Sequence, residues 1–79
     1  PAAEHEFVRQ FTGPLHALLR KDFGRLTASE RDELVQDALA SAIRSLPRYD
    51  PEKRFITWLF TIARRRAIDL VERTQNEWI

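Results

Sequence analysis

The chain has 79 residues, which is enough for one domain with only a thin hydrophobic core. Its composition, 43% hydrophobic and 32% charged, is typical of a globular protein, and the absence of cysteine excludes disulfides and thiolate metal sites. The formal net charge of +1 is low for a protein that binds nucleic acid without the help of a partner.

A first helix is predicted over residues 4–23. Gly13 and Pro14 lie in its middle, and proline removes a backbone donor and clashes with the preceding turn. Either the helix kinks there, or Pro14 begins a second helix after a short one. Gly24 ends the segment. The apolar residues at helical spacing that indicate this helix are Phe7, Phe11, Leu15, Leu18 and Leu19.

A second helix begins at one of two possible capping boxes, Thr27 with Glu30 or Ser29 with Asp32. Pro47 ends it, because proline cannot continue a helix. A loop stiffened by two prolines follows. One continuous apolar stripe predicts the buried face of this helix: Leu34, Val35, Ala38, Leu39, Ala42, Ile43 and Leu46.

A third helix is predicted over residues 55–73, and its apolar residues cover most of the circumference. Such a helix is typically central, packed on several sides. The consecutive residues Arg64, Arg65 and Arg66 interrupt this pattern. We therefore expect the helix to leave the core at one edge and to meet anions there. Few glycines and prolines and three helical segments together indicate an all-α fold.

The second helix carries an acidic face. Glu30, Glu33 and Asp37 lie three or four positions apart, with Gln36 beside them. Like charges at this spacing repel each other, so helix stability alone does not favour the arrangement. The face is either simply solvated or a docking surface for a basic or polar partner helix.

A basic surface combines the loop with the third helix. Cationic side chains suit phosphates, and aromatic rings offer faces for unstacked bases at roughly 1–3 kcal/mol per base. A stiff loop beside a helix can form a pocket for a base pulled from the duplex. Trp58 is alternatively a core residue, whereas Tyr49 in the loop is more open to a functional role. Cations that could surround these two rings are Arg48, Lys53, Arg54, Arg64 and Arg65.

The sequence indicates neither catalysis nor a metal site. His5 and His16 lie too far apart to share a metal on a helix, the serines have no neighbouring base, and no glycine-rich phosphate loop occurs. We expect a non-enzymatic protein without catalytic residues or cofactor. No apolar run is long enough to span a membrane and no signal peptide is indicated, so we expect a cytoplasmic location.

Three separated motifs occur in order along the chain: DELVQDAL at 32–39, LPRYDPE at 46–52 and FITWLFTIAR at 55–64, closed by AIDL at 67–70. Together they resemble region 2 of bacterial sigma factors, most closely the extracytoplasmic-function (ECF) group, from about residue 7 to residue 73. The resemblance implies a compact three- to four-helix bundle with residues 1–79 as a single domain. The family's region 4, which reads the minus-thirty-five element, is absent, so we expect a fragment of a longer sigma factor.

The resemblance also implies a division of labour. In the family the second helix docks on the clamp coiled coil of the largest RNA polymerase subunit. The loop and third helix recognise the minus-ten promoter element, capture a flipped base of the non-template strand and hold the strands apart. The implied docking residues are Glu33, Gln36, Asp37 and Arg44. The implied DNA-binding residues are Arg48, Tyr49, Asp50, Lys53, Arg54, Trp58, Thr61, Arg64 and Arg65.

The resemblance leaves base preference and regulation open. Family members often have Asn where this chain has Arg65, and arginine can bind guanine bidentately or simply hold a phosphate. The expected partners are RNA polymerase core, non-template promoter DNA and an anti-sigma factor, without membrane or small-molecule substrate. The main alternative is a sigma-like mimic that sequesters an anti-sigma factor without binding DNA. The mimic predicts a degraded basic edge, and the intact loop and the three consecutive arginines argue against it. A generic helical adaptor with no polymerase link is the other alternative, and it would show no affinity for the clamp coiled coil.

Overall fold

A computed structural model describes residues 2–77, with side chains described for residues 5–74. The elements are α1 (Ala2–Asp22), α2 (Ala28–Ser45) and α3 (Phe55–Glu77), and a 3₁₀ turn at Leu46–Arg48 follows α2. Each helix contacts the other two. No strand occurs in the part of the chain that the structure describes, and the all-α prediction is confirmed.

Helix α1 runs without a break through Gly13 and Pro14. The alternative of a short helix followed by a second one is therefore wrong. Pro14 has no amide hydrogen, so the carbonyl of Gln10 loses its helical hydrogen bond. Gln10, Gly13 and Pro14 are all exposed, so water can satisfy this carbonyl. Burial of Leu15 and Leu19 directly after the proline holds the following turns against the rest of the bundle.

Helix α2 begins with the first of its two possible capping boxes. The Glu30 amide donates to the Thr27 hydroxyl at 3.1 Å, and the Thr27 amide donates to the Glu30 carboxylate at 2.8 Å. Ser29 lies inside the helix. The sequence places Glu30 on one acidic face with Glu33 and Asp37. In the structure the Glu30 carboxylate is used to cap its own helix, so its role differs from theirs.

The core lies where the three helices meet. Helix α3 contributes Leu59, Ala63 and Ala67, all fully buried and four positions apart on one face. The small side chains of Ala63 and Ala67 let the other helices approach closely. Leu46, which the periodicity assigns to the buried stripe of α2, is instead 48% exposed because the α-helix ends at Ser45. The buried apolar residues are Leu15, Leu18, Leu19, Leu26, Leu34, Val35, Ala38, Leu39, Ala42, Leu59, Ala63 and Ala67.

Among the helices of the described residues, none combines the length and the apolar character needed to cross a membrane.

Candidate functional site

The three consecutive arginines of α3 point in three directions. Successive residues of an α-helix are rotated by about 100°, and the buried Ala63 and Ala67 mark the side of α3 that faces the core. Arg65 falls on the opposite side, facing outward. Arg64 and Arg66 fall on the two flanks, between the core side and the outward side.

Both flanking arginines form ion pairs within the chain. Arg64 Nε lies 3.4 Å from Asp22 Oδ2 at the end of α1. Arg66 Nη1 donates to Asp37 Oδ2 on α2 at 3.0 Å. Helix α3 is therefore tied to α1 on one flank and to α2 on the other.

Arg65 is exposed and forms no ion pair or hydrogen bond with the side chains that the structure describes. Of the three arginines, it is therefore the one placed to meet an external anion. Thr61 lies one turn earlier on the same face and donates its hydroxyl to the Thr57 carbonyl at 2.9 Å. Trp58, seven positions before Arg65, lies on this face as well, about 10 Å away along the helix axis.

The loop before α3 is held by its own hydrogen bonds. Asp50 Oδ1 accepts from the Glu52 amide at 3.0 Å, and the Asp50 carbonyl accepts from the Lys53 amide at 3.0 Å. The Tyr49 hydroxyl donates to the Lys53 carbonyl. An aspartate that bonds the backbone two residues ahead is typical of a tight turn. The loop is thus an ordered turn, and Asp50 is one of the residues that shape it.

Aromatic contacts attach this loop to α3 and α1. The Tyr49 and Trp58 ring centroids are 5.0 Å apart, and Phe55 lies 5.4 Å from each of them. Phe55 also contacts Phe7 at 5.7 Å and Phe11 at 5.3 Å. Trp58 is half-buried and packs against the core, while one side of its ring meets Tyr49. The two roles that the sequence left open for Trp58 are therefore compatible.

These elements build one surface, which we call the loop–α3 surface: Arg48, Tyr49, Asp50, Lys53, Arg54, Trp58, Thr61 and Arg65. Its loop cations, Arg48, Lys53 and Arg54, are exposed and form no ion pair with a described side chain. Arg64, which the sequence also predicts to bind DNA, points instead along the flank toward Asp22. The surface thus combines exposed positive charge with two half-buried aromatic rings.

A second surface, the α2 polar face, consists of the exposed residues Glu33, Gln36 and Asp37. Gln36 lies on a ridge, because it lines a groove on each side of α2. The α2–α3 groove is polar and includes Glu33, Asp37 and Arg66. Arg44, the fourth predicted docking residue, is exposed about two turns further along α2 and lines neither groove.

The groove between α1 and α2 is mostly apolar. Val8, 39% exposed, borders it from α1, and Leu39 and Ile43 border it from α2. His16 Nε2 and Asp32 Oδ1, 3.3 Å apart, join the two helices at the groove. This groove could not be predicted from the sequence, since Val8 lies beside the apolar stripe of α1 and Ile43 has the spacing of an ordinary core position.

Comparison with known proteins identifies the family of the chain. The family model described as Sigma-70 region 2 matches residues 7–77 of the chain. The chain belongs to this family. Its relatives place it in the ECF group: it is 35% identical over 69 residues to the ECF RNA polymerase sigma factor RpoE of Cereibacter sphaeroides. It is also 42% identical over 45 residues to the RNA polymerase sigma factor CarQ of Myxococcus xanthus. No solved structure gives a significant match.

The chain spans less than two fifths of the length of either relative. The match with RpoE covers 86% of this chain and 37% of RpoE, and the match with CarQ covers 57% of this chain and 26% of CarQ. The family match includes both surfaces, because the α2 polar face and the loop–α3 surface lie within residues 7–77. In this region 2 domain the two surfaces belong to different elements, and the Arg66–Asp37 contact joins the helices α3 and α2.

Proposed function

We propose that this ECF region 2 domain docks on RNA polymerase and recognises and opens the minus-ten promoter element in transcription initiation. One observation carries the proposal: exposed cations and half-buried aromatic rings share the loop–α3 surface, while a separate polar face lies on α2. The names of the relatives, both RNA polymerase sigma factors, support it.

The α2 polar face would bind the clamp coiled coil of the largest polymerase subunit. Glu33 and Asp37 would meet basic side chains of the clamp helices, and Gln36 would supply hydrogen bonds from the ridge. The apolar α1–α2 groove beside Gln36 would take apolar side chains of the same partner, as helix-in-groove recognition requires. Arg44 would contribute at the far end of α2.

The loop–α3 surface would bind the non-template strand. Arg48, Lys53 and Arg54 would hold phosphates. An extruded base would rest beside Tyr49 and Trp58, where stacking worth about 1–3 kcal/mol per base offsets the few kcal/mol that unstacking costs.

Polar groups of the same surface would read the captured strand. Asp50 Oδ1 accepts a bond from the Glu52 amide, which leaves Oδ2 as an acceptor for the amino group of a base. Arg65 would hold a phosphate or bind a guanine edge, and Thr61 would contact the strand between Trp58 and Arg65. Arg64 would contribute by leaving its 3.4 Å contact with Asp22.

The low net charge makes polymerase part of this mechanism. With a formal charge of +1, the domain alone has little excess positive charge for attracting DNA, so we expect weak DNA binding until polymerase holds it at the promoter.

An anti-sigma factor is a further expected partner. The alternative function, a mimic that only sequesters an anti-sigma factor, does not require the exposed cations of the loop, and these favour the DNA-binding function.

The first test is binding of the domain to the isolated clamp coiled coil. Gln36→Ala and Asp37→Ala should each weaken binding. Arg9→Ala, which removes an exposed arginine of α1 that pairs with Glu6 and lines neither groove, should not. Absence of wild-type binding at high micromolar concentration would contradict polymerase docking and favour the mimic.

A further inference from the structure

We infer that Arg66 is a positioning residue for polymerase docking, acting from α3 on the α2 polar face through Asp37. This inference rests on the proposed function. The Arg66 guanidinium donates from Nη1 to Asp37 Oδ2 at 3.0 Å and from Nη2 to the Ser41 hydroxyl at 3.3 Å. Asp37 and Ser41 lie one turn apart on α2, so the planar fork of one arginine spans two successive turns.

This contact orients a carboxylate that remains open to a partner. The Asp37 side chain is 53% exposed, and its bond to Arg66 uses Oδ2, leaving Oδ1 as an acceptor. An unrestrained surface aspartate samples several rotamers and loses that freedom on binding. Arg66, with its own side chain only 38% exposed, restricts Asp37 before the partner arrives. Part of the ordering cost of docking is thereby met within the free domain.

The geometry separates this role from DNA binding and from simple stabilisation. Arg66 lies on the flank of α3 that faces α2, about 100° around the helix from Arg65 on the loop–α3 surface. Ion pairs between groups as exposed as Arg66 and Asp37 contribute little to folding stability. The Arg66–Asp37 contact therefore adds little to the stability of the fold. Because it holds a docking carboxylate in one orientation, its main effect is on the affinity for the partner.

The test compares clamp coiled-coil binding by the wild type, Arg66→Ala, Asp37→Ala and the double variant. Arg66→Ala should weaken binding roughly 3- to 10-fold, the range expected when one side chain must be ordered on association. In the Asp37→Ala background, the Arg66 substitution should have no further effect. Arg66→Lys, which keeps the charge but loses the fork, should give an intermediate affinity.

A matched control is Arg9→Ala. Arg9 also forms an exposed ion pair at 3.0 Å, with Glu6 within α1, and its loss should leave coiled-coil binding unchanged. Binding of single-stranded promoter DNA should be the same for Arg66→Ala and the wild type, since Arg66 is outside the loop–α3 surface. A thermal melt of each variant identifies any loss of folding.

Should Arg66→Ala melt early, Arg66→Lys carries the test, because it leaves Asp37 in place and keeps the charge but loses the planar fork that also reaches Ser41. A folded Arg66→Lys variant that docks more weakly than the wild type supports the inference, and one that docks like the wild type overturns it. The inference is also overturned if Arg66→Ala lowers coiled-coil affinity equally in the wild-type and Asp37→Ala backgrounds, or if it does not lower it at all. If the wild type itself fails to bind the coiled coil, the proposed function fails, and this inference with it.

Discussion

The Tyr49 ring lies 5.0 Å from the Trp58 ring at an interplanar angle of 49°, and this contact joins the loop to the first turn of α3. Tyr49 also donates its hydroxyl to the Lys53 carbonyl, four residues ahead in the same loop. One residue thus closes the loop on itself and attaches it to the helix. The loop cations are therefore presented from an ordered turn, in which fewer conformations are lost when a DNA strand binds.

Tyr49→Phe separates these two contributions, because it keeps the ring contact and removes only the hydroxyl bond. We expect the free energy of unfolding to fall by about 0.5–1.5 kcal/mol, the usual net value of one hydrogen bond. Amides of the loop should exchange faster with solvent while those of α3 stay protected. Chemical denaturation and hydrogen exchange measure the two effects. Unchanged exchange in the loop would show that the hydroxyl bond does not order it.

Arg65→Ala and Arg64→Ala should differ in their effects on DNA binding, although the two residues are neighbours. Arg65 faces outward and Arg64 contacts Asp22, so losing Arg65 should weaken binding of the minus-ten strand more. If Arg65 holds one phosphate, the slope of log affinity against log salt should fall by roughly 0.7 for a single strand. The measurement is a salt series with fluorescent promoter strand and the polymerase-bound domain.

The base preference of Arg65 can be tested in the same assay. Arg65→Lys keeps the charge but loses the bidentate fork that recognises guanine. A pure phosphate contact should tolerate lysine equally on all promoter sequences. A guanine contact should lose affinity only for strands that carry guanine at one position. In the comparison of the two alanine variants, equal losses of DNA affinity from Arg64→Ala and Arg65→Ala would contradict the larger role expected of Arg65.

Thr27→Ala should destabilise the domain by about 1 kcal/mol, because Thr27 caps α2. Ser29→Ala is the matched control: Ser29 is the other possible cap in the sequence, but it lies within the helix and should change stability little. Thermal or urea denaturation of the two variants checks this. A larger loss from Ser29→Ala than from Thr27→Ala would show that α2 begins at the alternative capping box.

The three helices could be predicted from the sequence because each depends on local signals: apolar spacing, the capping box at Thr27 and the stop at Pro47. The ion-pair partners of the three arginines could not be predicted. Asp22 lies 42 positions before Arg64, and Asp37 lies 29 positions before Arg66. Helical periodicity shows that consecutive arginines diverge, but only the packing of α3 between α1 and α2 determines which of them meets a carboxylate.

The same limit applies to the aromatic and apolar surfaces. The role of Trp58 depended on whether the loop folds back over α3, which the contact with Tyr49 establishes. The exposure of Leu46 depended on the residue at which α2 ends. The α1–α2 groove forms only when Val8 of one helix faces Ile43 of another. Each of these features requires two segments to meet, whereas a sequence pattern describes one segment at a time.

Val8→Asp tests whether the α1–α2 groove takes part in docking. Val8 is 39% exposed at the edge of this groove, so a carboxylate there should remain solvated and cost the fold little. Within the groove it would oppose apolar side chains of a bound clamp helix, and we expect at least roughly 10-fold weaker coiled-coil binding, since burying a charge without a partner is costly. Binding of promoter single strand should be unaffected, because Val8 is not part of the loop–α3 surface.

Gln10→Asp is the control for the added charge. Gln10 is an exposed residue of α1, two positions from Val8, and it does not line the groove. If Val8→Asp alone weakens coiled-coil binding, the partner enters the groove. If both variants weaken it equally, the cause is added negative charge on α1, and docking is restricted to the α2 polar face. If neither does, the groove has no part in docking, and the interface is polar throughout.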